Sequence, residues 1–109
     1  MKKVLIGFAA LALFARAAEA KLNVIATTAD FGSIAKEIGG DKVDVFTLAK
    51  STEDPHFVDA KPSFIVKLNR ADAVIEGGAE LEVGWLPPLI DGARNAKLDA
   101  GKQIGRAHV

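Results

Sequence analysis

Three short, β-branched apolar runs alternate with three amphipathic runs between Leu22 and Asn95, and this alternation limits the possible folds more than any other property of the chain. Leu22-Asn23-Val24-Ile25-Ala26-Thr27-Thr28 reads as a buried strand. Phe31, Ile34, Ala35 and Ile38 then recur at i, i+3, i+4 and i+7, the spacing of the buried face of a helix. Asp30 is the expected cap of that helix, with Lys36 and Glu37 facing water, and Gly39-Gly40 stops it. Asp41-Lys42 turns the chain into a second strand, Val43 to Ala49. Pro62 marks a second helix start, because a proline is tolerated where the amide proton has no partner. Phe64, Ile65 and Leu68 give that helix its inner stripe, while Lys67, Asn69 and Arg70 face water. Ala73-Val74-Ile75-Glu76 is a third strand, broken by Gly77-Gly78. Pro87 and Pro88 both fit the first turn of a helix that starts near Gly84 or Trp85. Leu86, Leu89, Ile90 and Ala93 form its inner stripe, and it ends around Arg94-Asn95. Trp85 reads as a packing anchor, and Glu82 as a surface charge favoured near a helix amino terminus. Lys97 to Val109 is polar and glycine-punctuated, and no structure is assigned to it.

This order predicts an α/β fold: a single three-layer lobe with a short parallel sheet flanked by helices, each crossover right-handed. In such sheets ligands gather at the carboxyl ends of the strands. The loop Ser51-Thr52-Glu53-Asp54-Pro55-His56-Phe57 leaves the second strand at that end and carries one of only two histidines. A neutral imidazole is the commonest protein ligand for transition metals, and Pro55 stiffens the backbone just before it. Glu53 and Asp54 add negative charge that attracts a cation. The same residues also suit an ordinary Asp-Pro surface turn.

The first twenty residues have the pattern of a secretory leader. Met1-Lys2-Lys3 is a basic start, Val4 to Ala15 an apolar run, and Ala18-Glu19-Ala20 a small-residue cleavage site. The apolar run is too short to span a bilayer comfortably. Cleavage after Ala20 is therefore expected to release a periplasmic chain that begins at Lys21. With no cysteine, neither a disulfide nor a lipid-modified cysteine is expected. The 14 basic and 14 acidic residues balance, no basic patch appears, and nucleic acid is an improbable partner.

Thr27-Thr28, Ile38-Gly39-Gly40-Asp41-Lys42-Val43, Asp54-Pro55-His56, Pro62-Ser63, Ala71-Asp72, and Gly78 with Glu82 form an ordered set of motifs. Together they resemble the amino-terminal part of the zinc- and manganese-binding periplasmic proteins that serve metal-uptake ABC transporters, up to about Leu98. The resemblance divides the chain into a signal peptide (1–20), an amino-terminal α/β lobe (21–98) and a tail of uncertain structure (99–109). It implies a two-lobed protein that holds one divalent metal in its cleft and delivers it to an ABC transporter permease in the inner membrane, without catalysis. It also implies that His56 is the first metal ligand, with Zn2+ as cargo and Mn2+ as the alternative, and it carries a ligand role to no other residue. Members of that family are much longer. Their second histidine lies later in the first lobe, and further ligands come from a second lobe. His108 lacks the aromatic and acidic companions of that second histidine and reads as a tail residue.

Zinc normally takes four ligands, or three and a water. The chain is therefore expected to be a truncated or split member with weak metal affinity. Its three strands are expected to leave an edge that a fourth would cover. Two other readings stand beside this one. An exported α/β remnant that binds no metal predicts that removing His56 changes nothing. A small hydrolase using His56, Asp54 and Thr52 lacks a nucleophile-elbow motif.

Overall fold

A computed structural model describes residues 20–99 together with the backbone of 106–108. The expected signal peptide thus lies, but for Ala20, outside the described residues. The elements follow the order β1 (Leu22–Ala26), α1 (Ala29–Gly39), β2 (Val43–Thr47), α2 (Pro62–Asn69), β3 (Ala73–Glu76), α3 (Leu86–Ala93) and β4 (Arg106–His108). Short 3-10 turns cover Gly40–Lys42 and Ala96–Leu98. The strands form one parallel sheet in the order β2-β1-β3-β4. Val24 stands beside Val45 on one side and Ala73 on the other, so β1 is an interior strand.

Alternation along the strands divides the apolar residues between two faces. Ile25 and Val74 point to the side covered by α2 and α3, where they join Phe64, Leu68, Leu86, Leu89, Ile90 and Ala93 in the core. Leu48, Val58, Trp85 and Leu98 close its margins. Each such side chain, fully buried, contributes about 1.5–3 kcal/mol, and this layer is the main source of cohesion. The helices end as their sequences require. Pro62 sits in the first turn of α2, and Pro87 and Pro88 in the first turn of α3. Asn95 ties the far ends together: its amide donates to the carbonyls of Leu68 (2.9 Å) and Ala71 (2.7 Å), and its Oδ1 accepts from the Lys97 amide.

Three expectations change. The edge that three strands were expected to leave open is covered by a fourth strand from the tail, to which no structure was assigned: β4 runs parallel to β3, with the His108 backbone in register with Glu76. Parallel pairing uses backbone groups alone, so a polar, glycine-rich approach gives no periodic signal to read. Asp30 does not cap α1. Thr28 occupies the cap position in extended conformation without a side-chain bond, and Asp30 lies inside the first turn, where its charge suits the helix dipole.

The apolar stripe of α1 is also not buried as its spacing predicts: Ile34 is 53% and Ile38 83% exposed. Gly32 is the buried residue of this helix, and a Cβ there would collide with the Thr47 hydroxyl. The helix thus rests on the sheet through its glycine, with its apolar stripe at the margin. Val24, Ile34, Ala35, Ile38, Val43 and Ile75 line an open apolar groove of about 510 Å³ between α1 and this face of the sheet.

Candidate metal centre

The loop after β2 is shaped by its own carboxylates. Glu53 accepts a hydrogen bond from the Lys50 amide at 2.8 Å, and its other oxygen takes the Asp59 amide at 3.5 Å. These amides, Lys50 foremost, hold its carboxyl below the usual glutamate range. Asp54 accepts from the His56 amide at 2.9 Å and from His56 Nδ1 at 2.7 Å. The His56 amide, then its ring, lowers the Asp54 carboxyl below the ordinary aspartate range. Both acids therefore act first as braces of the loop, Glu53 at its base and Asp54 at its tip.

Asp54 fixes what His56 can offer. An ionised carboxylate only accepts, so the ring nitrogen facing it carries the proton. In the neutral imidazole, Nε2 then keeps its lone pair, the usual arrangement of a metal-binding histidine whose other nitrogen is held by a carboxylate. The His56 side chain is half exposed, so a solvated ion can reach it.

Behind the loop stands Trp85. It is 5% exposed, and its indole N–H donates to the Pro55 carbonyl at 2.7 Å. The reading of Trp85 as a packing anchor holds, and the hydrogen bond adds a polar tie that composition did not disclose. Trp85 is itself placed by Glu82, whose carbonyl accepts from the amides of Trp85 (3.2 Å) and Leu86 (2.9 Å).

The expectation of Glu82 as a surface charge is corrected: it is only 4% exposed. Its carboxylate takes the amides of Gly77 at 2.7 Å and Gly78 at 3.1 Å. The loop between them is left-handed at Gly78 (φ 71°), Ala79 (φ 50°) and Glu80 (φ 69°). A carboxylate is buried at small cost when backbone N–H groups converge on it. The signal was present as two glycines shortly before an acid and a helix start, but it resembles an ordinary turn.

The two loops and the start of α1 border a cleft of about 320 Å³ at the carboxyl ends of the strands, touched by Thr28, Asp30, Phe31, Lys50, Glu53 and Leu81. The buried Thr27 hydroxyl, next in sequence to Thr28, has no hydrogen-bond partner among the described residues. Among the described residues no three histidines, cysteines or acids converge as a ligand set. The arrangement thus brings His56 and Asp54 together and places Glu53 at the base of the same loop. Thr52 accompanies them in sequence but makes no bond to either among the described side chains.

The family described as the periplasmic zinc-uptake complex component A, ZnuA, matches residues 24–108. The manganese ABC transporter substrate-binding lipoprotein PsaA of Streptococcus anginosus is 32% identical over 80 residues, covering 71% of this chain and 26% of its own. The manganese ABC transporter substrate-binding lipoprotein scaA of Streptococcus gordonii is 34% identical over 77 residues, covering 68% and 25%. A zinc-bound ZnuA deletion mutant superposes with a TM-score of 0.64 at 28% identity, over 70% of this chain and 29% of that one. The chain spans about a quarter of the length of the curated relatives it matches.

Proposed function

The chain belongs to the periplasmic zinc-uptake component A family, and on that premise we propose that it binds a divalent metal ion for delivery to an ABC uptake transporter. Residues 21–98 act as an amino-terminal metal-binding lobe in the periplasm, after removal of residues 1–20. His56 contributes Nε2 to the metal. The observation that carries this reading is the Asp54–His56 pair, which engages Nδ1 at 2.7 Å and leaves Nε2 as the nitrogen that can face an ion at the carboxyl end of a parallel sheet. Nothing in this role requires a covalent step: the lobe captures, holds and releases an ion.

Zinc is the preferred cargo and manganese the alternative. An imidazole nitrogen suits zinc better than manganese, whereas the relatives reported above include proteins named for manganese and one zinc-bound structure. A single imidazole leaves most of the coordination shell to water or to other groups, so affinity through this lobe alone is weak. A second reading is favoured by one observation, that no three-ligand set converges among the described residues: an exported lobe that binds no metal.

Calorimetric titration of Zn2+ into residues 21–109, beside the His56→Ala variant, separates the two. A weak saturable heat that disappears in the variant supports metal binding at His56. Superimposable traces would sink it. Repeating the titration with Mn2+ ranks the two metals.

A further inference from the structure

We infer that Trp85 is a positioning residue for His56: its buried indole N–H grips the Pro55 carbonyl and so sets the direction in which His56 presents its outward nitrogen. This rests on the reading of His56 as a metal ligand.

The loop tip has few other ties. The Asp54 side chain bonds the His56 amide and ring, and the Phe57 amide donates to the Asp54 carbonyl at 2.9 Å, all within the tip. Glu53 braces the loop lower down, towards Lys50 and Asp59. Among the described residues, the 2.7 Å bond from Trp85 is the hydrogen bond that joins the tip to the body of the lobe. Its point of attachment matters. Pro55 has no amide proton and a fixed φ, so its carbonyl is the one backbone group through which it can be held. Holding that carbonyl fixes the peptide plane it shares with His56.

The anchor is rigid. Trp85 is 5% exposed and packs with Leu86, Leu89 and Val58 in the core. Its amide is held by the Glu82 carbonyl, and the Glu82 carboxylate in turn holds the turn at Gly77 and Gly78 that ends β3. A continuous route of short bonds therefore runs from the end of β3 to the peptide before His56. The chain contains one tryptophan, so indole emission reports on the surroundings of Trp85 alone.

The test uses the full chain as wild type, Trp85→Phe and His56→Ala. Phenylalanine keeps an aromatic ring in the core and removes the N–H. The first readout needs no metal: backbone order parameters of His56 and Phe57, measured by NMR relaxation, should drop from the rigid range near about 0.85 towards about 0.6 in Trp85→Phe. Those of Val24, Ile25 and Val74 should stay where they are. The second readout is Zn2+ alone, titrated calorimetrically: Trp85→Phe should bind roughly tenfold more weakly, the usual scale for a partner that orients a ligand. In wild type, Zn2+ should also shift the indole emission, and in His56→Ala it should not.

An unchanged loop in Trp85→Phe overturns the inference. So does loosening that spreads equally to the sheet, since Trp85 would then be a packing residue only. A loosened tip with undiminished zinc affinity overturns it as well. If wild type and His56→Ala both ignore zinc, the metal reading has failed separately, and the order parameters alone decide whether Trp85 holds the tip.

Discussion

Replacing Glu82 tests the buried carboxylate that shapes the loop after β3. It receives two backbone N–H groups at 2.7 and 3.1 Å while 4% exposed. Hydrogen bonds to a charged partner are worth about 1.5–3 kcal/mol each, and stranded amides recover part of this by opening to water, so Glu82→Ala should cost about 3 kcal/mol. The left-handed backbone at Ala79 and Glu80 adds to the tendency of the freed loop to open. A chain of this size has a total stability of roughly 5–10 kcal/mol, so the loss is a large share of it. Glu82→Gln keeps one acceptor oxygen but turns an amide group towards the second N–H, and should cost about half as much. Urea unfolding followed by far-ultraviolet circular dichroism and by Trp85 emission measures both variants. With a slope near 1 kcal/mol per molar, the alanine midpoint should fall by about 2–3 M. A fall of less than about 0.5 M, with unchanged amide exchange at Gly77 and Gly78, would refute the assignment of Glu82 as the organiser of this loop.

Asp72 is held by the Lys97 ammonium at 2.7 Å and by the Asn23 amide at 2.8 Å, which depress its carboxyl below the ordinary range, Lys97 foremost. A depressed folded value means that its stabilisation is complete above the unfolded value, near about 3.9, and is lost as pH falls through the lower folded value. The difference in stability between wild type and Asp72→Asn should be about 0.5–1 kcal/mol at pH 6, since the Lys97 partner is largely exposed, and should shrink in more acidic solution. Thermal melts across that range check the sign. At the exposed groove, Ile38→Lys should change stability by no more than about 0.5 kcal/mol and lower the binding of a hydrophobic dye. A melting temperature reduced by more than about 5 °C would show that Ile38 is packed in solution.

Much of the fold was legible because strand and helix periodicities depend on local side chains. Ile25, Phe64, Leu68, Val74, Leu86 and Leu89 all lie in the core, where their spacing put them. The parallel order followed from the alternation of elements. Three features escaped for different physical reasons. β4 is a matter of backbone pairing, which leaves no pattern in a polar tail. The apolar spacing of α1 records a capacity to be covered, and Gly32 sets which side of the helix meets the sheet. Glu82 looked like a surface charge because burial of an acid is decided by the amides around it, and these come from a turn geometry that residue type alone does not specify.

At the proposed site, chemistry and loop position single out His56 as the candidate ligand. The direction of its ring depended on Asp54, two residues away, and the hold on the Pro55 carbonyl before it on Trp85, 30 residues beyond that proline. The Asp54 bond is local and could have been guessed from Asp-Pro-His. The Trp85 bond needs the packed core to exist.

The interior position of β1 has a consequence for the order in which the molecule can come into being. β1 leaves the ribosome before the other described strands and needs neighbours on both sides, and one of them is far behind it: Asn23 and Asp72, which tie the β1 and β3 segments, lie 49 residues apart in sequence. At about 5–20 residues per second, translation separates those segments by several seconds. Throughout that interval β1 has one edge without its partner, and the lobe cannot close. A factor that binds nascent chains therefore meets an unfinished sheet, with time to act before the fold withdraws the strand from reach.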